Sequence, residues 1–280
     1  INKLDAVEDA RQAFSNIAGA LSRFAEAAGI AVHAIVPISA LKGWNVVEAG
    51  SHEPGWCGYD GPTLLELLET LPATPADDHL PFAFPVQWVE KFSSSADTSQ
   101  GRRVFWGRVA AGGAQPGQRV KVLPSGQSAV IAQVLDHVRG PRSVPAGHGA
   151  GIVLDREVDV SRGDWLLAEE ADGASQAPSR EIRATVAWLD DEPLVAGRVY
   201  WALHGHRWVK ARIKRVVHRL DINTLAEADA TQLEPNAIGH VEIAFQEALA
   251  TLPFSAARLQ GSMVLVDTAS HKTSGAVLVN

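Results

Sequence analysis

Near the start of the chain stand Asn2, Lys3 and Asp5, spaced Asn-Lys-x-Asp. A carboxylate can accept two hydrogen bonds at once, so Asp5 suits a flat ligand that offers two adjacent N–H donors. Guanine is such a ligand, through its N1–H and exocyclic amine. The Asn2 amide would then address the O6/N7 side of the base, and the Lys3 stem would lie over its plane. Four residues alone do not separate this reading from a plainer one, in which Asp5 caps the helix that follows.

Ser39-Ala40-Leu41 adds a second piece. It follows the next apolar stretch, where a backbone N–H could meet guanine O6 and the small Ala40 would permit close approach. An ordinary Ser cap after a strand is the plainer alternative. Strand end, base motif, helix, strand and Ser-Ala, in that order, favour the guanine reading. The expected base pocket is therefore Asn2, Lys3, Asp5, Ser39, Ala40 and Leu41.

A nucleotide site also needs a phosphate cradle. No G-x-x-x-x-G-K-[ST] string occurs among the 280 residues. His271-Lys272-Thr273 has the Lys-Thr pair without the earlier glycine and reads as a strand turn. The sequence lacks an initial Met and opens on what reads as the end of a strand, so the expectation is an N-terminally truncated chain. Such a chain should neither hydrolyse GTP nor bind it tightly by itself, and no catalytic residue is assigned.

These residues need elements to hold them. Val7, Ala10, Phe14, Ile17, Leu21, Phe24 and Ala28 recur at helical steps, predicting an amphipathic helix over 6–29 that Gly29 closes. Asp5 and Glu8 would form its capping box. AVHAIVPIS (31–39) has the length and branching of a strand, so the opening reads as an α/β layer with parallel pairing. A loop from Gly43 to Gly61 leads to a second helix, with Pro62 in its first turn.

Beyond residue 81 the period becomes alternating. FPVQWVE, RRVFWGRVA, QRVKVL, SAVIAQVLD, AGIVL and WLLA are short strands between Gly- and Pro-rich turns, which suggests a small closed barrel. Residues 169–179 are polar and read as a linker. A second strand-rich region follows, from EIRATVAWL to SGAVLV. The expected fold is α/β plus all-β, with domains at 1–78, 79–175 and 176–280.

Three features carry bland readings. His204-Gly205-His206 could be a metal arm, but no Cys/His/Asp cluster accompanies it, so it reads as a solvated strand turn and no metal ligand is assigned. In RWVKARIKR, alternation puts Lys210, Arg212 and Lys214 on an outer face and Val209, Ala211 and Ile213 inside. Cys57 has no companion and receives no chemistry.

Composition bounds the function. A net charge of −7 argues against a mainly electrostatic nucleic-acid binder. The single Cys excludes a disulfide framework and fits a reducing compartment. No run approaches the roughly 18 apolar residues of a membrane span. The chain thus reads as soluble and cytoplasmic.

With these motifs together, the chain resembles the translation-factor-like GTPases, in which a P-loop GTP domain precedes two β-barrels. Within that group it is most similar to the large, GTPase subunits of sulfate adenylyltransferases. The resemblance runs the whole length and rests on NKLD (2–5), SALKG (39–43), YDGPTLLELLETL (59–71), PFAFPVQWV (81–89), VLPSG (122–126), DVSRGDWL (159–166) and HRLDINTL (218–225). It implies the C-terminal part of a GTP-binding domain followed by two barrels, with GTP, and Mg²⁺ in the full-length parent, as cofactors. It also implies a heterodimer whose small catalytic subunit joins ATP and sulfate into adenylylsulfate and pyrophosphate, while the large subunit hydrolyses GTP to help drive that step. Two alternatives stand beside it: an elongation-factor-like GTPase that binds tRNA, and a non-catalytic module that docks a partner.

Overall fold

The computed structural model describes residues 1–48, 56–71, 77–91, 103–169 and 177–280. Two compact units divide the chain, Ile1–Pro75 and Ala76–Asn280.

The first unit holds α1 (Ala10–Ala27) and α2 (Leu64–Thr70). Helix α1 begins later than its periodicity predicts, and its cap is Asp9, whose carboxylate accepts the Gln12 N–H at 2.9 Å. The expected Asp5/Glu8 capping box does not form. Lys3 adopts a left-handed backbone (φ 67°), Leu4–Ala6 make one 3₁₀ turn, and Val7 is extended, so the chain enters the helix only after that kink. At the other end Gly29 (φ 66°) does close the helix, with Ile30 N–H on the Ala25 carbonyl at 2.8 Å and Gly29 N–H on Glu26 at 3.1 Å. This paired closure needs a left-handed residue, which glycine adopts without a Cβ clash. Helix α2 is capped by Thr63, with Glu66 bonding back to the Thr63 N–H at 2.8 Å. Pro62 therefore lies just outside the helix and not in its first turn.

The apolar stretch 31–38 is not a regular strand. Its backbone nevertheless makes two bonds of the parallel kind: the Ile1 amino group donates to the Val36 carbonyl at 2.7 Å, and Ile38 N–H donates to Ile1 at 2.8 Å. A strand is defined by a ladder of such bonds, and among the described residues only Ile1 pairs with this stretch in parallel.

The second unit contains two closed arrangements of antiparallel strands. The first is a barrel of β1 (Ala83–Lys91), β2 (Arg103–Arg108), β3 (Arg119–Leu123), β4 (Ser128–Leu135), β5 (Gly149–Leu154) and β6 (Trp165–Ala168). Their order around it is β1-β2-β5-β4-β3-β6. Inward residues at alternate positions, among them Phe84, Ile131, Ile152 and Leu166, fill its core.

The second arrangement comprises β7 (Ser179–Trp188), β8 (Val199–His204), β9 (Arg207–Leu220), β10 (Glu227–Asp229), β11 (Ile238–Leu249), β12 (Ser262–Asp267) and β13 (Thr273–Val279). Its order is β8-β12-β13-β7-β11-β9-β10, and a further pairing of β8 with β9 closes six strands into a ring with β10 at the edge. Strand β9 alternates as its sequence predicts, with Val209, Ala211 and Ile213 buried and Lys210, Arg212 and Lys214 exposed. Of the predicted linker 169–179, residues 170–176 lie outside the described residues.

DVSRGDWL acts where the two barrels meet within this unit. Asp164 accepts the Ser161 N–H at 2.8 Å and the Arg207 guanidinium at 2.8 Å. Gly163 (φ 94°) leaves no room for a side chain: a Cβ would sit 2.9 Å from the His206 carbonyl oxygen. The neighbouring turn corrects the reading of His204 as solvated. His204 is fully buried, lies flat on Trp165 with ring centres 5.0 Å apart, and meets the Gln260 carbonyl through Nε2 at 3.0 Å. Only a protonated nitrogen can meet a carbonyl, so Nε2 carries the hydrogen, and Nδ1 has no partner among the described residues. Burial lowers this imidazole to a pKa of about 4.

Candidate functional site

The two sequence segments expected to read a base are joined by a side-chain hydrogen bond beside the Ile1 pairing with Val36 and Ile38. Asn2 Oδ1 accepts the Ala40 N–H at 3.1 Å, across 38 positions of sequence, and also the Lys3 N–H at 2.7 Å. The Lys3 backbone is left-handed at this point and leads directly into the 3₁₀ turn. Asn2 thereby commits its oxygen to the backbone and leaves its amide N–H groups for a ligand.

Leu4 is buried and anchors the 3₁₀ turn, so Asp5 stands half-buried beside it. The Asp5 carboxylate forms no hydrogen bond with the described residues and caps no helix. Its plainer explanation is thereby removed: Asp9 does the capping.

Ser39 plays a different part from a contact residue. It is fully buried, exchanges two backbone bonds with Trp44 at 3.1 and 3.2 Å, and accepts the Lys42 N–H on its hydroxyl at 3.2 Å. It shapes the loop that exposes Ala40 and Leu41. Asn45 tightens the same loop from behind, donating to the Pro37 carbonyl at 3.1 Å. Lys42 lies over the Trp44 ring at 4.4 Å, and Trp44 packs edge-on against Trp56 at 5.0 Å. This aromatic support carries no sequence signal beyond Lys42 and Trp44 standing two apart just after Ser39.

Six residues thus fall into two groups. Asn2, Lys3, Asp5, Ala40 and Leu41 present side chains or backbone outward, and Ser39 holds the loop beneath them. A carboxylate, a carboxamide and loop backbone brought close together can satisfy a flat base with donors on one edge and acceptors on the next.

A family model described as GTP-eEF1A C-terminal domain-like matches residues 181–280. Sulfate adenylyltransferase subunit 1 of Salmonella typhi is 36% identical over 280 residues, covering 100% of this chain and 56% of the relative. The similarity to sulfate adenylyltransferase subunit 1 runs along the whole of this chain. The corresponding subunit of Salmonella typhimurium is 35% identical, with the same coverage. The chain spans about half the length of the curated relatives it matches.

Among solved structures, sup35 complexed with GDP matches with a TM-score of 0.64 and 21% identity, covering 100% of this chain and 67% of that one. The S. cerevisiae Ski7 GTPase-like domain, bound to GDP and inorganic phosphate, gives a TM-score of 0.57 at 13% identity, covering 100% and 63%. These likenesses show that the chain shares the fold of the matched parts of those two proteins. They agree with the α/β segment followed by two barrels that the sequence predicts.

Proposed function

We propose that the chain is part of the regulatory GTPase subunit of a sulfate adenylyltransferase. In this reading residues 1–78 belong to its GTP-binding domain, and 79–175 and 176–280 are its two barrels. The Asn2–Ala40 hydrogen bond carries the proposal, because it joins the two segments that a guanine pocket requires. Asp5 accepts the N1–H and amine of guanine, Asn2 addresses the N7 side, Lys3 covers the base, and the Ala40-Leu41 backbone meets O6. GTP, with Mg²⁺ at its phosphates, is the cofactor of the whole protein. A small catalytic subunit is its partner and handles ATP and sulfate. Subunit 1 relatives along the entire chain support that partnership, and sup35 complexed with GDP supports the nucleotide. Absence of a long apolar helix among the described residues is compatible with the expected cytoplasmic setting.

The test uses the whole protein purified from its own host. It should bring down a second subunit and release pyrophosphate in the presence of ATP and sulfate, faster with GTP. Recovery of tRNA or ribosomes, with no sulfate-dependent pyrophosphate, would replace the proposal with a translation-factor role.

A further inference from the structure

HRLDINTL is the segment that the base pocket does not use. Its aspartate builds a turn: Asp221 accepts the Asn223 and Thr224 N–H groups, both at 2.9 Å, and Leu225 N–H closes on the Asp221 carbonyl at 2.7 Å. That turn reverses the chain from β9 into the edge strand β10, setting Glu227 opposite Leu220 and Asp229 opposite His218. On the other side of β9, sheet register places His240 of β11 directly opposite His218. Three strands therefore deliver two imidazoles and a carboxylate to one patch of the second barrel.

The patch has the chemistry of a metal centre. His218 Nδ1 lies 3.3 Å from one Glu227 oxygen, and His240 Nδ1 lies 3.2 Å from the other. One ligand atom from each of the three side chains falls within 4.8 Å of the others. Zinc–nitrogen and zinc–oxygen bonds of about 2.0–2.2 Å give tetrahedral edges of roughly 3.3–3.6 Å, and each imidazole already lies at about that spacing from one oxygen of the Glu227 carboxylate. Rotation of the Glu227 carboxylate and of the rings would bring one oxygen and both nitrogens, now within 4.8 Å of one another, onto a shared ion. The remaining ring nitrogen of His218 faces Asp229 at 3.7 Å. That separation exceeds a hydrogen bond, so Asp229 would have to close on His218 to fix its tautomer and raise its basicity as a carboxylate behind a ligating imidazole does.

We propose that His218, Glu227 and His240 bind a zinc-like divalent ion, with Asp229 orienting His218 and water in the fourth position. Imidazole donors favour such an ion over calcium or magnesium. All four side chains reach solvent, so an ion has direct access. Bound there, it would tie the solvent-exposed strand β10 to the barrel wall. This site is independent of the nucleotide reading.

The experiment titrates the chelator-treated 280-residue chain with Co²⁺ and then with Zn²⁺. One equivalent of Co²⁺ should develop the intense visible absorption of four-coordinate cobalt, which Zn²⁺ abolishes. Zinc should bind with micromolar or tighter affinity and raise the thermal midpoint. His218→Gln and His240→Gln, checked for folding by circular dichroism, should each weaken zinc roughly tenfold or more, whereas His33→Gln should not. Absence of saturable binding to the unaltered chain, or affinity retained in both folded variants, would overturn the site and leave an ion-pair cluster.

Discussion

At the scale of single residues, the two most informative side chains are Asp5 and His204, one because it is unused and the other because it is buried. Asp5 neither caps a helix nor forms a hydrogen bond with the described residues, so its carboxylate is available to a ligand. In a protein that joins this chain to a phosphate-binding loop, Asp5→Asn should cost GTP roughly 1.5–3 kcal/mol. XTP, with a carbonyl where guanine carries its amine, should gain relative to GTP. Competition binding with the two nucleotides checks this, and an unchanged preference removes Asp5 from the pocket. His204 makes a prediction about acid. The folded chain resists charging this imidazole down to a pH of about 4, whereas an unfolded histidine takes up its proton near 6.5. The unfolded state therefore binds more protons in that window, and His204 costs stability as pH falls through it, by about 3 kcal/mol in all. His204→Phe keeps a flat ring against Trp165 but cannot titrate. Urea midpoints measured from pH 7 to pH 4.5 should fall less steeply in the variant; parallel slopes would mean that His204 titrates normally.

At the scale of elements, the joint between barrels depends on backbone that only glycine adopts easily. Gly163→Ala places a Cβ 2.9 Å from His206 O and 3.0 Å from Arg207 Cα, on a residue at φ 94°. Gly197 has a similar φ of 88° but open space around it. Gly197→Ala should lose about 1–3 kcal/mol from backbone strain alone. Gly163→Ala should lose more, because Arg207 must move away from Asp164. Thermal melts of the two variants give the comparison, and equal losses would show that the joint yields without cost. Burial raises the Asp164 carboxyl pKa despite the pull of Ser161 and Arg207, which marks how dry this contact is.

At the scale of the whole molecule, stability is concentrated in the barrels. Every large apolar cluster among the described residues draws on positions between Leu80 and Val279, all in the second unit. In the first unit α1 leaves Ile17 and Leu21 exposed and buries only Ala25. Residues 76–280 expressed alone should therefore fold with a cooperative transition close to that of the complete chain. Tryptophan fluorescence in urea would follow it through Trp165 and Trp188, which are fully buried there. An unstructured 76–280 segment would show that the first unit is needed for the barrels to form.

Local pattern determined a good part of this protein. Alternation marked the long strands of both barrels, because a half-buried strand writes its two faces into sequence with period two. Gly29 marked the end of α1, because a left-handed closure demands it. Asn-Lys-x-Asp and Ser-Ala stood out as candidate base-reading segments, since their donors and acceptors are set by residue type, and the Asn2–Ala40 hydrogen bond joins them. Other features were decided only in three dimensions. The start of α1 moved to Asp9 because the left-handed turn at Lys3 is a backbone choice that periodicity does not encode. His204 reads as a polar turn residue in sequence, yet barrel packing buries it against Trp165. His218, Glu227 and His240 stand at spacings of nine and thirteen residues that match no metal-ligand motif, and only the register of three adjacent strands makes them neighbours. Sequence specifies each residue's chemistry, but strand register and close packing decide which chemistries meet.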